Sequence, residues 1–275
     1  MVTMDTIEQP VAVVTGASAG LGAEFARQLA AQGYCVWLVA RRQDRLDALA
    51  KSLREAGGVC EVVACDLTDD AQLNALCATV AAEEKLAVLV NNAGFGSKLS
   101  FAESPLAEQD SMVRLHVLAT VRLSHAALGG MVARDCGRVL NVASVAGFFQ
   151  SESNVMYCST KAWMISFTEG LALELAGSGV SATALCPGFT ITEFHDVMGV
   201  GRSSVPKHQW LRADYVVRCG LAAMDKGKWI CTPHWRYRIY AWIGRHMPKW
   251  ILHPLSRRRR KRSDAIRAAD PTLNE

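Results

Sequence analysis

The order of patterns in the first forty residues restricts the fold more than any other feature of this chain. VAVVTG (11–16) is a short, β-branched apolar run. It breaks into a glycine-rich turn, and LGAEFARQLAAQG (21–33) then sets Leu21, Phe25 and Leu29 on one helical face and stops at Gly33. YCVWLVA (34–40) is again continuous and apolar. Strands apolar on both faces, separated by helices, belong to a parallel sheet covered on both sides.

The alternation continues along the chain. RLDALAKSLREAGG (45–58) reads as an amphipathic helix, and VCEVVACD (59–66), LAVLVNNAG (86–94), GRVLNVAS (137–144) and VSATALCPG (180–188) as strands. Helical stretches near 70–84, 105–133 and 155–177 separate them, and a weaker helix (212–226) and strand (228–232) follow. Right-handed crossovers between parallel strands make the expected architecture α/β and doubly wound, with about seven strands. No internal linker appears, so residues 8–232 are read as one domain and 233–275 as an extension. With 275 residues, half of them apolar, the chain can bury a sizeable core.

Composition excludes several classes. The nine cysteines are odd in number and form no C-x-x-C pair. They suit a reducing compartment rather than a disulfide framework or a zinc site. The opening residues, MVTMDTIEQP, carry acids and no apolar core, so no secretory leader is expected. No run of about twenty apolar residues suggests a membrane span. A cytoplasmic location is the expectation. The net charge of +4 is uneven: residues 233–263 hold ten Lys/Arg and no acid, leaving twenty basic against 26 acidic groups elsewhere. The basic character belongs to the tail.

The turn TGASAGLG (15–22) follows a strand and opens a helix. In that context Gly16, Gly20 and Gly22 suit a dinucleotide pyrophosphate, which must approach the backbone closely at a helix N-terminus. The plain alternative is a tight turn. An acid at the end of the second strand would hold ribose hydroxyls; here Ala40 is followed by Arg41 and Arg42. No carboxylate repels a 2′-phosphate, and an arginine fork can clamp one, so the cofactor is read as NADP(H), with Arg41 first in line because it leaves the strand first. Two solvated arginines are the alternative. Asp66, after the third strand, is placed to reach an adenine amino group or to cap the next turn.

Six motifs then stand in order: TGASAGLG, CDLTD, NNAG (91–94), Ser144, YCSTK (157–161) and PGFTIT (187–192). Together they resemble the short-chain dehydrogenase/reductase family, over about residues 10–232, with its Rossmann-type sheet. The resemblance implies a ketone–alcohol oxidoreductase with Ser144, Tyr157 and Lys161 at its centre. The residue types suit the chemistry. Reducing a ketone takes a hydride on carbon and a proton on oxygen. Tyr157 is a proton donor, a lysine ammonium one helical turn away is expected to lower its pKa, and Ser144 steadies the charge developing on the substrate oxygen. By the same resemblance Lys161 bonds the nicotinamide ribose. Ser18, Leu21, Leu67, Asn91, Asn92, Ala93, Gly94, Pro187, Gly188, Thr190 and Thr192 join the cofactor site. One position departs: the family's helix asparagine is His116, in RLHVLAT (114–120). Either it is a structural histidine, or it joins a proton relay with Lys161 and water.

The loops above the sheet are rich in apolar residues: Phe95, Phe148, Phe149, Phe189, Phe194, His195, Met198 and Trp210. Phe95, Phe149, Phe189, Phe194 and Met198 are the expected substrate contacts, for a bulky apolar carbonyl or alcohol. PGFTITEFH is similar to the lid of a branch acting on acyl lipids and hydroxysteroids. The tail, HWRYRIYAWIGRHMPKWILHPLSRRRRKR (234–262), sets aromatics beside cations, which suits an anionic membrane surface. Packing at an oligomer contact or as a lid is the alternative. No nucleic-acid module accompanies the basic run, so no nucleic-acid partner is expected. A homo-oligomer is. A small-molecule carbonyl reductase, or an NADP-binding sensor or scaffold that does not turn over, are the rival functions.

Overall fold

The computed structural model describes residues 9–97, 99–150, 154–193, 205–248 and 250–251. Seven parallel strands form one sheet in the order β3-β2-β1-β4-β5-β6-β7. They are β1 (Val11–Thr15), β2 (Cys35–Ala40), β3 (Val59–Ala64), β4 (Leu86–Asn91), β5 (Gly137–Val142), β6 (Val180–Leu185) and β7 (Ile230–Cys231). The helices are α1 (Gly20–Ala31), α2 (Gln43–Glu55), α3 (Asp70–Ala82), α4 (Leu106–Val113), α5 (Ala119–Ala133), α6 (Val155–Glu174), α7 (Ala213–Asp225) and α8 (Trp235–His246).

Side-chain alternation sets the two larger core clusters on opposite faces of the sheet. Ala12 and Val14 of β1 face Phe25 and Leu29 of α1, Leu46 and Leu49 of α2, and Val216 and Leu221 of α7. Val11 and Val13 face Leu73, Leu76 and Val80 of α3, Leu123 and Met131 of α5, and Ala172 of α6. All five residues of β1 are buried, which is why the strand reads as continuous and apolar. β7 is shorter than the sequence suggests because only Ile230 and Cys231 pair with β6, at the sheet edge.

Two helical features depart from the sequence reading. First, the helical run Leu106–Ala133 is long and apolar enough, by length and composition alone, to cross a membrane. Here Met112, His116, Leu123, Ala127 and Met131 of that run are buried within the fold. A π-helical turn, Arg114–Leu118, interrupts it around His116. Such turns are rare and often mark functional positions. Second, the start of the extension is a helix, α8, packed on the body. Arg245 pairs with Glu169 of α6, and Arg236 donates to the His208 carbonyl at 2.9 Å.

The strand order reverses direction between β1 and β4, so the loops after these strands part there and leave a crevice. Thr15 joins its two sides: its hydroxyl donates to the Val90 carbonyl (3.2 Å) and accepts from the amides of Asn92 (2.9 Å) and Ala93 (3.0 Å).

Candidate active site

A cleft of about 1310 Å³ opens above the carboxyl ends of the strands. That exceeds the usual pocket for one small molecule, roughly 300–1,000 Å³, and leaves room for a dinucleotide and a second ligand together. At one end lies the glycine-rich turn. Gly16 and Gly20 adopt left-handed backbone, φ +67° and +57°. A Cβ on Gly16 would stand 2.8 Å from Asn92 Nδ2 and 2.9 Å from Ala93 Cα. Gly22 has a different task. It does not line the cleft; a Cβ there would lie 2.2 Å from the Gly16 carbonyl oxygen, so its smallness lets α1 pack under the turn. The N-cap of α1 is Ala19, with no side-chain hydrogen bond and no acid in the first turn. The leading amides and the positive end of the helix therefore face the cleft uncapped by a side chain, as an anion seat requires. This donor set fits a nicotinamide dinucleotide.

Ser18, Leu21, Arg41, Arg42, Asp66, Leu67, Asn92, Ala93 and Gly94 line the same end. Arg41 is 72% exposed and leans toward Asp66, 3.9 Å away. Arg42 donates to Ser18 Oγ through Nε (3.2 Å) and Nη2 (2.9 Å) and approaches Glu193 at 3.8 Å. Arg45, not singled out in the sequence, bonds Glu193 at 2.6 Å. Asp66 caps its own turn: Oδ1 accepts from the amide (2.9 Å) and hydroxyl (2.7 Å) of Thr68. Asn91 turns away from the cleft. Its Nδ2 bonds Ser124 Oγ (3.1 Å) and Asn141 Oδ1 (2.9 Å) within the protein, because strand alternation sends Asn91 and Asn92 in opposite directions.

Ser144, just past β5, caps the 3-10 turn Val145–Phe148 by accepting the Ala146 amide at 3.1 Å, and its hydroxyl also bonds the Tyr157 phenol. Tyr157 and Lys161 stand one turn apart on α6, and all three line the cleft. Lys161 is 4% exposed, and its Nζ donates to the Val142 carbonyl at 2.7 Å. Burial depresses its pKa to about 8. The Tyr157 phenol goes the other way from expectation. Burial of the would-be phenolate raises it to about 12, and the Ser144 hydrogen bond offsets only part of that. Lys161 Nζ lies 5.9 Å from the phenol ring centre and is bonded to a carbonyl instead.

His116 sits behind this group and does not line the cleft. Nε2 accepts the Phe95 amide hydrogen at 3.1 Å. That nitrogen is therefore unprotonated, and Nδ1–H donates to Thr160 Oγ1 at 2.9 Å. The Thr160 hydroxyl in turn donates a hydrogen bond to the Tyr157 carbonyl at 3.1 Å. A relay through His116 needs a ring nitrogen facing Lys161 or its water, and both nitrogens are already engaged. Burial, and then the Lys161 charge, hold the imidazole pKa well below its usual value, so the ring is neutral. Gly94 makes room for it: a Cβ there would lie 2.8 Å from Nε2.

Pro187, Gly188, Thr190 and Thr192 form one wall of the cleft, which Phe95, Phe149 and Phe189 also line. Phe148 does not line the cleft and packs instead against the buried cluster of Ala143, Met164, Ile165, Ala184 and Cys186. Trp210 stacks obliquely on Phe189, 5.7 Å between centroids, outside the cleft lining. Phe194, His195 and Met198 lie outside the described residues. Tyr237, Tyr240 and Ile243 of α8 complete the lining and were missed in the sequence, where the tail is dominated by its cations. Their spacing of three is the signal that was present. The side-chain oxygen of Asn154, also in the lining, is buried with no hydrogen-bond partner among the described residues.

Residues 10–199 match the family described as short chain dehydrogenase. The ketoacyl reductase HetN of Nostoc sp. is 35% identical over 189 residues, which are 68% of this chain and 65% of that protein. A very-long-chain 3-oxoacyl-CoA reductase of Podospora anserina is 32% identical over 238 residues, 84% of this chain and 69% of that protein. A short-chain dehydrogenase from Sphingobium yanoikuyae, solved in complex with NADPH, superposes with a TM-score of 0.79 at 32% identity, covering 86% of this chain and 92% of that one.

Proposed function

From the premise that the chain belongs to the short-chain dehydrogenase family and is an NAD(P)-dependent oxidoreductase of ketones and alcohols, we propose that it reduces bulky apolar ketones with NADPH. The observation that carries this reading is the meeting of Ser144, Tyr157 and Lys161 in the lining of one cleft. Half-buried and bonded by Ser144, the Tyr157 phenol is protonated at neutral pH and ready to donate. The dinucleotide, when bound, supplies the hydride. The turn Gly16–Gly20 and the N-terminus of α1 hold its pyrophosphate, and Arg41 and Arg42 flank the 2′-phosphate. The Ser144 hydroxyl donates to the ketone oxygen as negative charge grows there, and Tyr157 passes its proton to that oxygen. Lys161, charged below about pH 8, bonds the ribose and steadies the phenolate that Tyr157 leaves behind.

An aromatic wall of Phe95, Phe149, Phe189 and Tyr240 supports an apolar, acyl-like substrate, in keeping with what the Nostoc and Podospora relatives are named for. The exposed outer face of α8, with Trp235, Ile239 and Trp242 at spacings of four and three, supports peripheral contact with an anionic membrane. Exposed Val121 and Val132 on α5 and Leu173 on α6 support a homo-oligomer. Free cysteines throughout the described residues support a cytoplasmic setting. The function is tested by following NADPH oxidation against a panel of ketones of increasing bulk. Turnover that favours the larger ones is expected. NADPH binding without oxidation by any of them would overturn the reductase in favour of a cofactor sensor.

A further inference from the structure

We propose that Tyr237, outside the residues matched to the family, is a positioning residue that fixes the wall Pro187–Thr192 and with it the mouth of the substrate pocket. Its substrate consequence rests on the reductase reading above; the contacts themselves do not. Tyr237 is 3% exposed. Its ring lies directly on Gly188, where a Cβ would come within 2.1 Å of Cζ, so the loop and the ring fit only because residue 188 has no side chain. The hydroxyl is used twice. It donates to the Gln209 carbonyl at 2.6 Å and accepts the Phe189 amide hydrogen at 3.2 Å.

Those two bonds tie together segments far apart in the chain. The loop after β6 pairs with the stretch before α7: Leu211 donates to the Phe189 carbonyl at 2.8 Å and Ile191 to the Leu211 carbonyl at 2.9 Å. Tyr237 extends that short ladder by one rung on the cleft side. The helix carrying it is held in turn by Arg236 on the His208 carbonyl, by Arg245 on Glu169, and by the contact of Gly244 with Phe148. Tyr240 and Ile243, one and two turns along, are thereby set against the mouth of the cleft. A ring on a bare glycine, two hydrogen bonds from one hydroxyl and a wall built on the same helix together make α8 a working part of the pocket.

Tyr237→Phe keeps the ring and removes both hydrogen bonds. Losing two net bonds is expected to raise the KM for a bulky ketone about tenfold, with a smaller loss of NADPH affinity because Thr192 of the same wall abuts Gly20 of the glycine-rich turn. Amide hydrogen exchange across residues 187–192 should quicken, and a small ketone should show a weaker effect than a bulky one. Unchanged exchange together with unchanged KM would overturn the proposal, as would equal losses for small and bulky ketones at normal exchange. If Tyr237→Phe does not fold, Gly188→Ala displaces the ring while keeping the hydroxyl and is read by the same exchange measurement. If none of the ketones makes the wild type oxidise NADPH, the reductase reading fails, and amide exchange alone then decides the role of Tyr237.

Discussion

His116 Nε2 accepts the amide hydrogen of Phe95 at 3.1 Å, which ties the loop after β4 to the helix run beside Tyr157. His116→Leu would strand the Phe95 amide, at about 1–3 kcal/mol, and would cost Thr160 one of its two hydrogen bonds while leaving the one to the Tyr157 carbonyl. Reduced thermal stability and reduced turnover are expected together, and His116→Asn should recover part of both. The imidazole pKa is depressed by burial, so below about 6.5 the unfolded chain binds a proton that the folded one refuses. Stability should therefore fall as pH drops below that value, and the fall should be smaller in His116→Asn. Equal acid sensitivity in the two proteins would show that His116 does not titrate in this way.

Tyr157→Phe removes the proposed proton donor and leaves the glycine-rich turn untouched. Turnover should fall about 10²–10⁴-fold with NADPH affinity nearly unchanged. A variant retaining half its rate would remove Tyr157 from the role.

The two arginines after β2 should part company. Arg41 is largely exposed and engaged only at 3.9 Å, so Arg41→Ala should weaken NADPH alone, by the roughly 10–150-fold that a charge-assisted bond of about 1.5–3 kcal/mol represents. Arg42 also holds Ser18 of the turn, so Arg42→Ala should weaken NADPH and NADH together. Titrating both cofactors against both variants decides between them; equal losses for Arg41→Ala would show that it does not read the 2′-phosphate.

Lys161 carries its own pH signature. With its pKa depressed to about 8, the ammonium is present below that pH and lost above it. The kcat/KM for ketone reduction should therefore decline above about pH 8. Between about 8 and 10.5 the unfolded chain binds the extra proton, so stability should rise with pH across that window. The rise should be absent in Lys161→Met. A rate profile flat to pH 10 would deny the charge its part.

The outer face of α8 can be tested without disturbing the cleft. Trp235→Ser with Trp242→Ser alters side chains 59% and 61% exposed, neither of which lines the pocket. The wild type should sediment with anionic vesicles at low salt, less at high salt and little with neutral ones. The double variant should lose the salt-resistant part and keep its activity on a soluble ketone. No sedimentation of the wild type at low salt would end the membrane reading.

Much of this molecule is legible in its sequence because the signals are local. A strand buried on both faces must be apolar throughout, so VAVVT and CVWLVA declare a parallel sheet. A turn with left-handed backbone at positions 16 and 20 needs glycine, so TGASAGLG declares itself too. The spacing from Tyr157 to Lys161 is one turn of one helix. What remained hidden depends on contacts between distant segments. Whether His116 could relay a proton turned on Phe95 and Thr160, 21 and 44 residues away, taking both its nitrogens. Whether Tyr157 would be more or less acidic turned on burial outweighing a lysine already bonded to Val142. That Tyr237 belongs to the pocket turned on a glycine 49 positions earlier leaving space for a ring. Local backbone preference and side-chain period act within a few residues and are written in order along the chain. Desolvation and hydrogen-bond partnership exist only once the chain has closed on itself, and tertiary structure alone decided them.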